Sequence, residues 1–230
     1  MKKHYNQEYF RERDHLDLLI AETIKKTLLE NGLKKVLDVG CGSGRLVKFL
    51  NDCGFKTVGC DNQDQALRIA KLLNKKRAII RASATKLPFR NGSFDFVSCI
   101  STIEHLTLAD GKRFVKESYR VLKSGGLFFM ITPNFASPMR YLLGKKWFGY
   151  SDPTHLYFYT PRSLSRLLEE FGFKNIKLQL KPAYNVPFDW YLPSFARKMP
   201  HFAKNFLTYL MIESPLSTFR DSFWIMGEKR

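Results

Sequence analysis

The stretch Val36-Leu37-Asp38-Val39-Gly40-Cys41-Gly42-Ser43-Gly44 decides the fold. Its first residues read as a short buried strand, and the glycines behind them let the chain turn sharply. Arg45–Asp52 then reads as a helix. A glycine loop between strand and helix brings backbone close to a ligand with no Cβ in the way. Asp61 follows the next apolar run, Thr57–Cys60, and stands 21 residues after Gly40. An acid there can accept hydrogen bonds from both hydroxyls of a ribose. Loop and acid together point to an adenosine-containing cofactor.

Two rival loops do not fit. The dinucleotide fingerprint needs a third glycine where Arg45 stands, and a phosphate-cradling loop needs a Gly-Lys-Ser/Thr ending that is missing. Asp38, inside the strand before the loop, is also wrong for pyrophosphate. A carboxylate there suits a ligand that carries an ammonium and a sulfonium.

Working outward, Tyr9–Glu30 has a helical period and ends at Asn31-Gly32, residue types that tolerate a left-handed C-cap. Gln65–Leu73 and Asp110–Leu122 read as further helices. Ala78–Arg81, Phe94–Ile100 and Leu127–Thr132 read as strands, the last entered through Gly125-Gly126. This alternation predicts βαβ units and a parallel sheet. Thr160-Pro161 starts a helix, with Thr as N-cap and Pro at the first helical position, that stops at Gly172. Lys174–Leu180 and Ser222–Met226 close the pattern as strands. Two stretches interrupt it late: 134–159, which reads as irregular, and 181–218, rich in proline and aromatics.

These residues resemble the class I S-adenosylmethionine-dependent methyltransferases. VLDVGCGSG is similar to the family's first motif, GCDNQ to its ribose-binding acid, and KLPFRNGSFDFVSC to the run into its fourth strand. The Glu104-His105 pair after that run is similar to the ubiquinone-type O-methyltransferases. The resemblance covers about residues 34–180. It implies an α/β, Rossmann-like fold: seven mostly parallel strands, helices on both faces and a final antiparallel pair. It also implies one methyltransferase domain over 1–230, with 134–159 and 181–218 as cap insertions on the acceptor side. S-adenosyl-L-methionine is the implied cofactor. Gly40 and Gly42 would line its methionine end with Cys41 and Gly44 completing the loop, and Asp38 would support that loop. Asp61 would hold the ribose and Asn62 would stand beside the adenine. Ser83 and Ala84 fall where the family usually has Asp-Ala on the adenine edge, so Ser83 departs from the pattern. Ile100 would pack near the sulfonium. For Ser83, Ala84 and Ile100, ordinary core or turn packing is an equal reading.

Ile100-Ser101-Thr102-Ile103 stands where adenine N-methylating enzymes of DNA carry an Asp/Asn/Ser-Pro-Pro-aromatic motif, which argues against that acceptor. A small-molecule or lipid-like acceptor, O- or N-methylated, is the expectation. His105 and His155 are the candidate bases, because histidine titrates near neutrality. For His105 the alternative is a core or capping histidine. For His155, in Ser151-Asp152-Pro153-Thr154-His155, it is a loop pinned by hydrogen bonds. Ser101 stands where some ubiquinone-type relatives place a further acid, so no metal is expected. Tyr5 and Tyr9 are candidates for a lid over the cofactor.

Charge bears on the acceptor. In 230 residues, 38 Lys and Arg stand against 21 Asp and Glu, a formal net charge of +17 spread along the chain. Such a field favours an anionic partner, whether nucleic acid, acidic lipid or a phosphorylated substrate, and it also serves solubility. Residues 181–212 hold eight aromatics, among them Trp190, Phe195 and Phe206, interleaved with Arg197, Lys198 and Lys204. That mixture suits an anionic membrane interface or an apolar acceptor with an anionic head, and a packed cap or dimer contact explains it equally. RNA modification and a non-catalytic cofactor-binding subunit are the rival functions. Cys41, Cys53, Cys60 and Cys99 form no CxxC pair and read as reduced thiols. No signal-peptide pattern or run of about 20 apolar residues is present. The expectation is a cytoplasmic protein, with peripheral membrane contact as a further option and an open oligomeric state.

Overall fold

The computed structural model describes residues 16–74, 78–150, 152–179, 200, 203 and 221–230. Helix α1 (Leu18–Glu30) is capped by Asp17, whose carboxylate accepts the amides of Leu19 and Ile20 at 2.9 and 3.2 Å. Then come β1 (Lys35–Val39), α2 (Arg45–Asp52), β2 (Lys56–Asp61), α3 (Asp64–Leu73), β3 (Ile79–Arg81) and β4 (Phe94–Ile100). A 3-10 turn at Ile103–His105 precedes α4 (Leu108–Val121) and β5 (Leu122–Pro133). After a short α5 (Met139–Leu143) come α6 (Pro161–Glu170), β6 (Phe173–Gln179) and β7 (Ser222–Lys229).

The seven strands form one sheet in the order β3-β2-β1-β4-β5-β7-β6. β1 to β5 are parallel, while β7 runs antiparallel between β5 and β6. The parallel strands therefore end on one edge of the sheet. The chain order reverses between β1 and β4, the switch point where open α/β sheets hold ligands.

Alternation along the strands sends side chains to two cores. Val36, Phe96, Phe129, Ile131 and Trp224 pack with Ile20, Ile24 and Leu28 of α1 and Leu46 and Leu50 of α2. Leu37, Val97, Phe128, Met130 and Ile225 pack with Phe114 and Val115 of α4 and Leu164 and Leu168 of α6. Both faces are covered, which is why β1 and β4 are nearly continuous apolar runs.

Three expectations are corrected. β5 starts at Leu122 rather than Leu127, running through Gly125-Gly126 with a shift in its register against β4. The helix before it spans Leu108–Val121 because Thr107 caps it, accepting the Asp110 amide at 3.2 Å. Residues 134–159 are not simply irregular. Their ends pair through the Phe135 amide and Tyr159 carbonyl at 3.0 Å, and they enclose α5 and two 3-10 turns. An aromatic cluster of Phe135, Trp147, Tyr150 and Phe158 fills them, with Phe135 stacked on Phe158 at 5.3 Å. Buried Trp147 donates its indole N–H to Asp221 at 2.7 Å, just before β7. The amides of Leu156 and Tyr157 reach the Glu104 carbonyl at 2.8 and 3.2 Å, so the segment docks on the turn after β4.

The Thr160 cap is present as a full capping box with Ser163. All four cysteines are free thiols. Tyr5, Tyr9 and all of 181–218 except Pro200 and Ala203 lie outside the described residues. Among the described residues, no helix is long and apolar enough to cross a membrane.

Candidate active site

The glycine loop wraps the carboxyl end of β1. The amides of Gly40 and Cys41 both donate to the Cys60 carbonyl, at 2.8 and 3.0 Å, which joins the loop to the end of β2. Gly40 has a φ of +73°, and a Cβ there would lie 2.1 Å from Thr102 Oγ1. The loop after β1 thus touches the loop after β4 across the switch point. Gly42 has a φ of +54°, yet a Cβ there would meet no atom within 4 Å. Gly40 is required for packing, whereas a side chain at Gly42 would project into open space. Gly44 is the N-cap of α2 and its carbonyl accepts from Asn74 at 3.0 Å. Cys41 packs on Gly59, and burial pushes its thiol far above the ordinary value.

Asp61 accepts the Gly42 amide at 3.0 Å and the Gln63 amide at 2.8 Å, one on each carboxylate oxygen. Burial raises its pKa, against the pull of the Gln63, Gly42 and Asn62 amides and Arg81. Asp38 is 4% exposed and accepts from Ser98 Oγ at 2.8 Å. Burial pushes it up to about 7, opposed by the Ser98 hydroxyl and aided by the Asp61 charge. Its hydrogen bond thus ties β1 to β4 beneath the loop.

The remaining cofactor candidates share this edge. Asn62 is exposed at the end of β2, and its carbonyl accepts from Arg81 at 3.2 Å. Ser83 is exposed after β3, where its hydroxyl meets the Thr85 hydroxyl at 2.9 Å and its backbone pairs with Lys86. Ala84 and Ile100 are half-buried, one against each core.

The acceptor-side candidates converge. His105, in the turn after β4, and His155, in the segment after β5, have ring centroids 4.7 Å apart in an edge-on arrangement. His105 Nδ1 lies 2.9 Å from Thr154 Oγ1 and 3.3 Å from the Thr154 carbonyl, and His155 Nδ1 lies 2.6 Å from the Gly149 carbonyl. Burial drives the His105 pKa down to about 4, with His155 adding to the fall and Asp152 and Thr154 opposing it. Beside them Glu104 is 1% exposed and accepts from Thr132 Oγ1 at 3.1 Å. Burial raises its pKa to about 8, opposed by its own backbone amide and the Thr132 hydroxyl.

Residues 37–130 match the methyltransferase-domain family. The chain is 31% identical to the ubiquinone biosynthesis O-methyltransferase of Aromatoleum aromaticum over 163 residues, 66% of this chain and 68% of that one. It is 32% identical over 160 residues to the protein of the same name from Idiomarina loihiensis, covering 63% of each. The chain spans less than two thirds of the length of several curated relatives. Its fold matches a SAM-dependent methyltransferase from Archaeoglobus fulgidus with a TM-score of 0.69 and 18% identity, over 98% of this chain and 100% of that one. The chain belongs to the class I S-adenosylmethionine-dependent methyltransferases.

S-adenosylmethionine is the cofactor of this family, and the methyltransferase's own loop fits it. The open space at Gly42 leaves room for backbone contact with the methionine end. Asp61 uses one lone pair of each oxygen on protein amides and retains capacity for ribose hydroxyls. Glu104, His105 and His155 bring one ligand atom each within 4.8 Å of one another, the cluster a cation would need. The same three side chains are also placed to act as an acid–base group. The sequence presented His105 and His155 as separate candidates 50 positions apart. Their pairing, and the part of Thr154 and Asp152 beside them, had no sequence signal beyond the compact Asp-Pro-Thr-His run.

Proposed function

We propose that this methyltransferase methylates an oxygen or nitrogen of a small-molecule or lipid-like acceptor, with the His105–His155 pair as its acceptor-side base. The observation that carries the reading is the meeting of the two rings on the sheet edge that bears the glycine loop. The names of the ubiquinone O-methyltransferase relatives support oxygen as the methylated atom.

When bound, S-adenosylmethionine supplies an electrophilic methyl group on a sulfonium. The chain's tasks are to hold it, to align the acceptor and to remove the acceptor's proton. Gly40, Gly42 and Asp61 do the holding, with Cys41 and Gly44 shaping the loop and Asn62, Ser83, Ala84 and Ile100 flanking it. His105 is placed to take the acceptor's proton, although burial lowers its pKa to about 4 and so weakens it as a base against the near-neutral histidine the sequence suggests. The segment 134–159 shields the pair and faces the acceptor.

Peripheral contact with an anionic membrane belongs to this proposal, supported by the net charge of +17 and the aromatic and basic composition of 181–218. The same charge favours RNA as the second reading of the acceptor. The test is incubation of a cell extract with methyl-labelled S-adenosylmethionine, followed by mass spectrometry of the small-molecule, lipid and RNA fractions. Label in a small molecule or lipid supports the proposal. Label confined to RNA establishes the second reading, and no label in any fraction favours a non-catalytic subunit.

A further inference from the structure

Asp152 and Thr154 form a buried hydrogen-bond chain that ends on His105. Asp152 Oδ1 accepts the Thr154 amide at 2.9 Å and the Thr154 hydroxyl at 2.6 Å. Both residues are nearly sealed from water, Asp152 at 5% and Thr154 at 9% exposure. A hydroxyl has one proton to give. At 2.6 Å from a carboxylate, that proton belongs to the short, charge-assisted bond to Asp152. Thr154 Oγ1 can then only accept from the ring nitrogen 2.9 Å away, His105 Nδ1. The second oxygen near Nδ1, the Thr154 carbonyl at 3.3 Å, is also an acceptor. Every oxygen these bonds place around Nδ1 asks it for a proton.

We propose that Asp152 and Thr154 are positioning residues that hold His105 in the tautomer protonated at Nδ1, which makes Nε2 the basic nitrogen. The inference rests on the reading of His105 as acceptor-side base and deepens it. The reverse arrangement, with Thr154 donating to Nδ1, would strip the buried Asp152 carboxylate of its short bond. Such a loss costs more than an ordinary hydrogen bond contributes. The charge state of Asp152 agrees. Burial raises its pKa, but the Thr154 hydroxyl and amide, with His105 and His155, more than offset this and hold it below the usual carboxylate range. The chain also links the segment after β5 to the turn after β4. The aromatic cluster that packs 134–159 thereby sets the orientation of a ring on a different loop.

The test reads the tautomer directly, by nitrogen NMR of the histidine rings in the full chain near neutral pH, with His105 assigned through His105→Gln. The expected result is a neutral His105 ring protonated at Nδ1 in the wild type. Thr154→Val keeps the shape and removes the hydroxyl, and should give a mixture of tautomers. Thr154→Ser should restore the wild-type signal, which a merely structural role would not require. A wild-type ring protonated at Nε2 overturns the proposal, as does a Thr154→Val spectrum unchanged from wild type. The measurement needs no acceptor, so its outcome is separate from that of the base reading. That reading fails independently if His105→Gln leaves methyl transfer in the labelled extract unchanged.

Discussion

The carboxylate of Asp61 holds the backbone amide of Gly42 at 3.0 Å, and so clamps the end of β2 to the glycine loop after β1. One side chain thus shapes the loop and, in the proposed function, would also hold the ribose. Asp61→Ala should weaken S-adenosylhomocysteine binding by about 1–3 kcal/mol, because the ribose hydroxyls and the Gly42 amide lose a shared acceptor. Calorimetric titration of the folded variant measures it. An affinity equal to wild type would remove Asp61 from the site.

The two loop glycines should respond differently. Gly40→Ala drives a Cβ into Thr102, so it should lower stability by about 1–3 kcal/mol in urea unfolding. Gly42→Ala meets no protein atom, and its cost to the fold is backbone strain of about 1 kcal/mol. Cofactor affinity should nevertheless fall at least tenfold in Gly42→Ala, since the methyl group enters the ligand's space. Equal effects of the two changes on binding and stability would refute this division of roles.

Most of the fold was legible because its signals are local. The β1–glycine loop–α2 unit, the Thr160-Pro161 cap and the strand Phe94–Ile100 each carry their cause within a few residues. The start of β5 was misplaced because Gly125-Gly126 reads as a turn, while pairing with β4 holds it in the sheet. The aromatic cluster of 134–159 was not legible, since Phe135, Trp147 and Phe158 show no period and Asp221, which anchors Trp147, lies 74 positions away. In the candidate site, the meeting of Asp61 with the glycine loop was readable from spacing. The raised pKa values of Asp38 and Glu104 were not, because burial depends on the tertiary packing around them.

Stability should fall as the pH rises past neutrality. Glu104 is raised in the fold from 4.5 to about 8, so its contribution is full below pH 4.5 and is lost as pH climbs to about 8. Asp38 behaves alike, from 3.8 up to about 7. His105 runs the other way, since its pKa falls from 6.5 to about 4, and its contribution is complete above pH 6.5. Between pH 6.5 and 8 the two acids dominate among these three. Glu104→Gln keeps an acceptor for Thr132 and removes the titration. Urea unfolding at pH 6.5 and 8 should show the wild type losing on the order of 2 kcal/mol more than this variant. Equal losses would mean that Glu104 is ionised in the fold throughout.

Asp221 accepts the indole N–H of fully buried Trp147. Asp221→Ala should leave that donor unpaired and cost about 1–3 kcal/mol in urea unfolding. Asp221→Asn can still accept and should recover most of the loss. Identical midpoints for all three proteins would show that the Trp147–Asp221 bond adds nothing to the stability of the fold.

The central claim is that the edge formed by Gly40, Gly42 and Asp61 binds S-adenosylmethionine. Calorimetric titration of the full chain with S-adenosylmethionine, S-adenosylhomocysteine, NAD and ATP tests it most directly. The account predicts saturable one-to-one binding of the first two ligands and much weaker binding of NAD and ATP. Binding of NAD tighter than that of S-adenosylmethionine would contradict it.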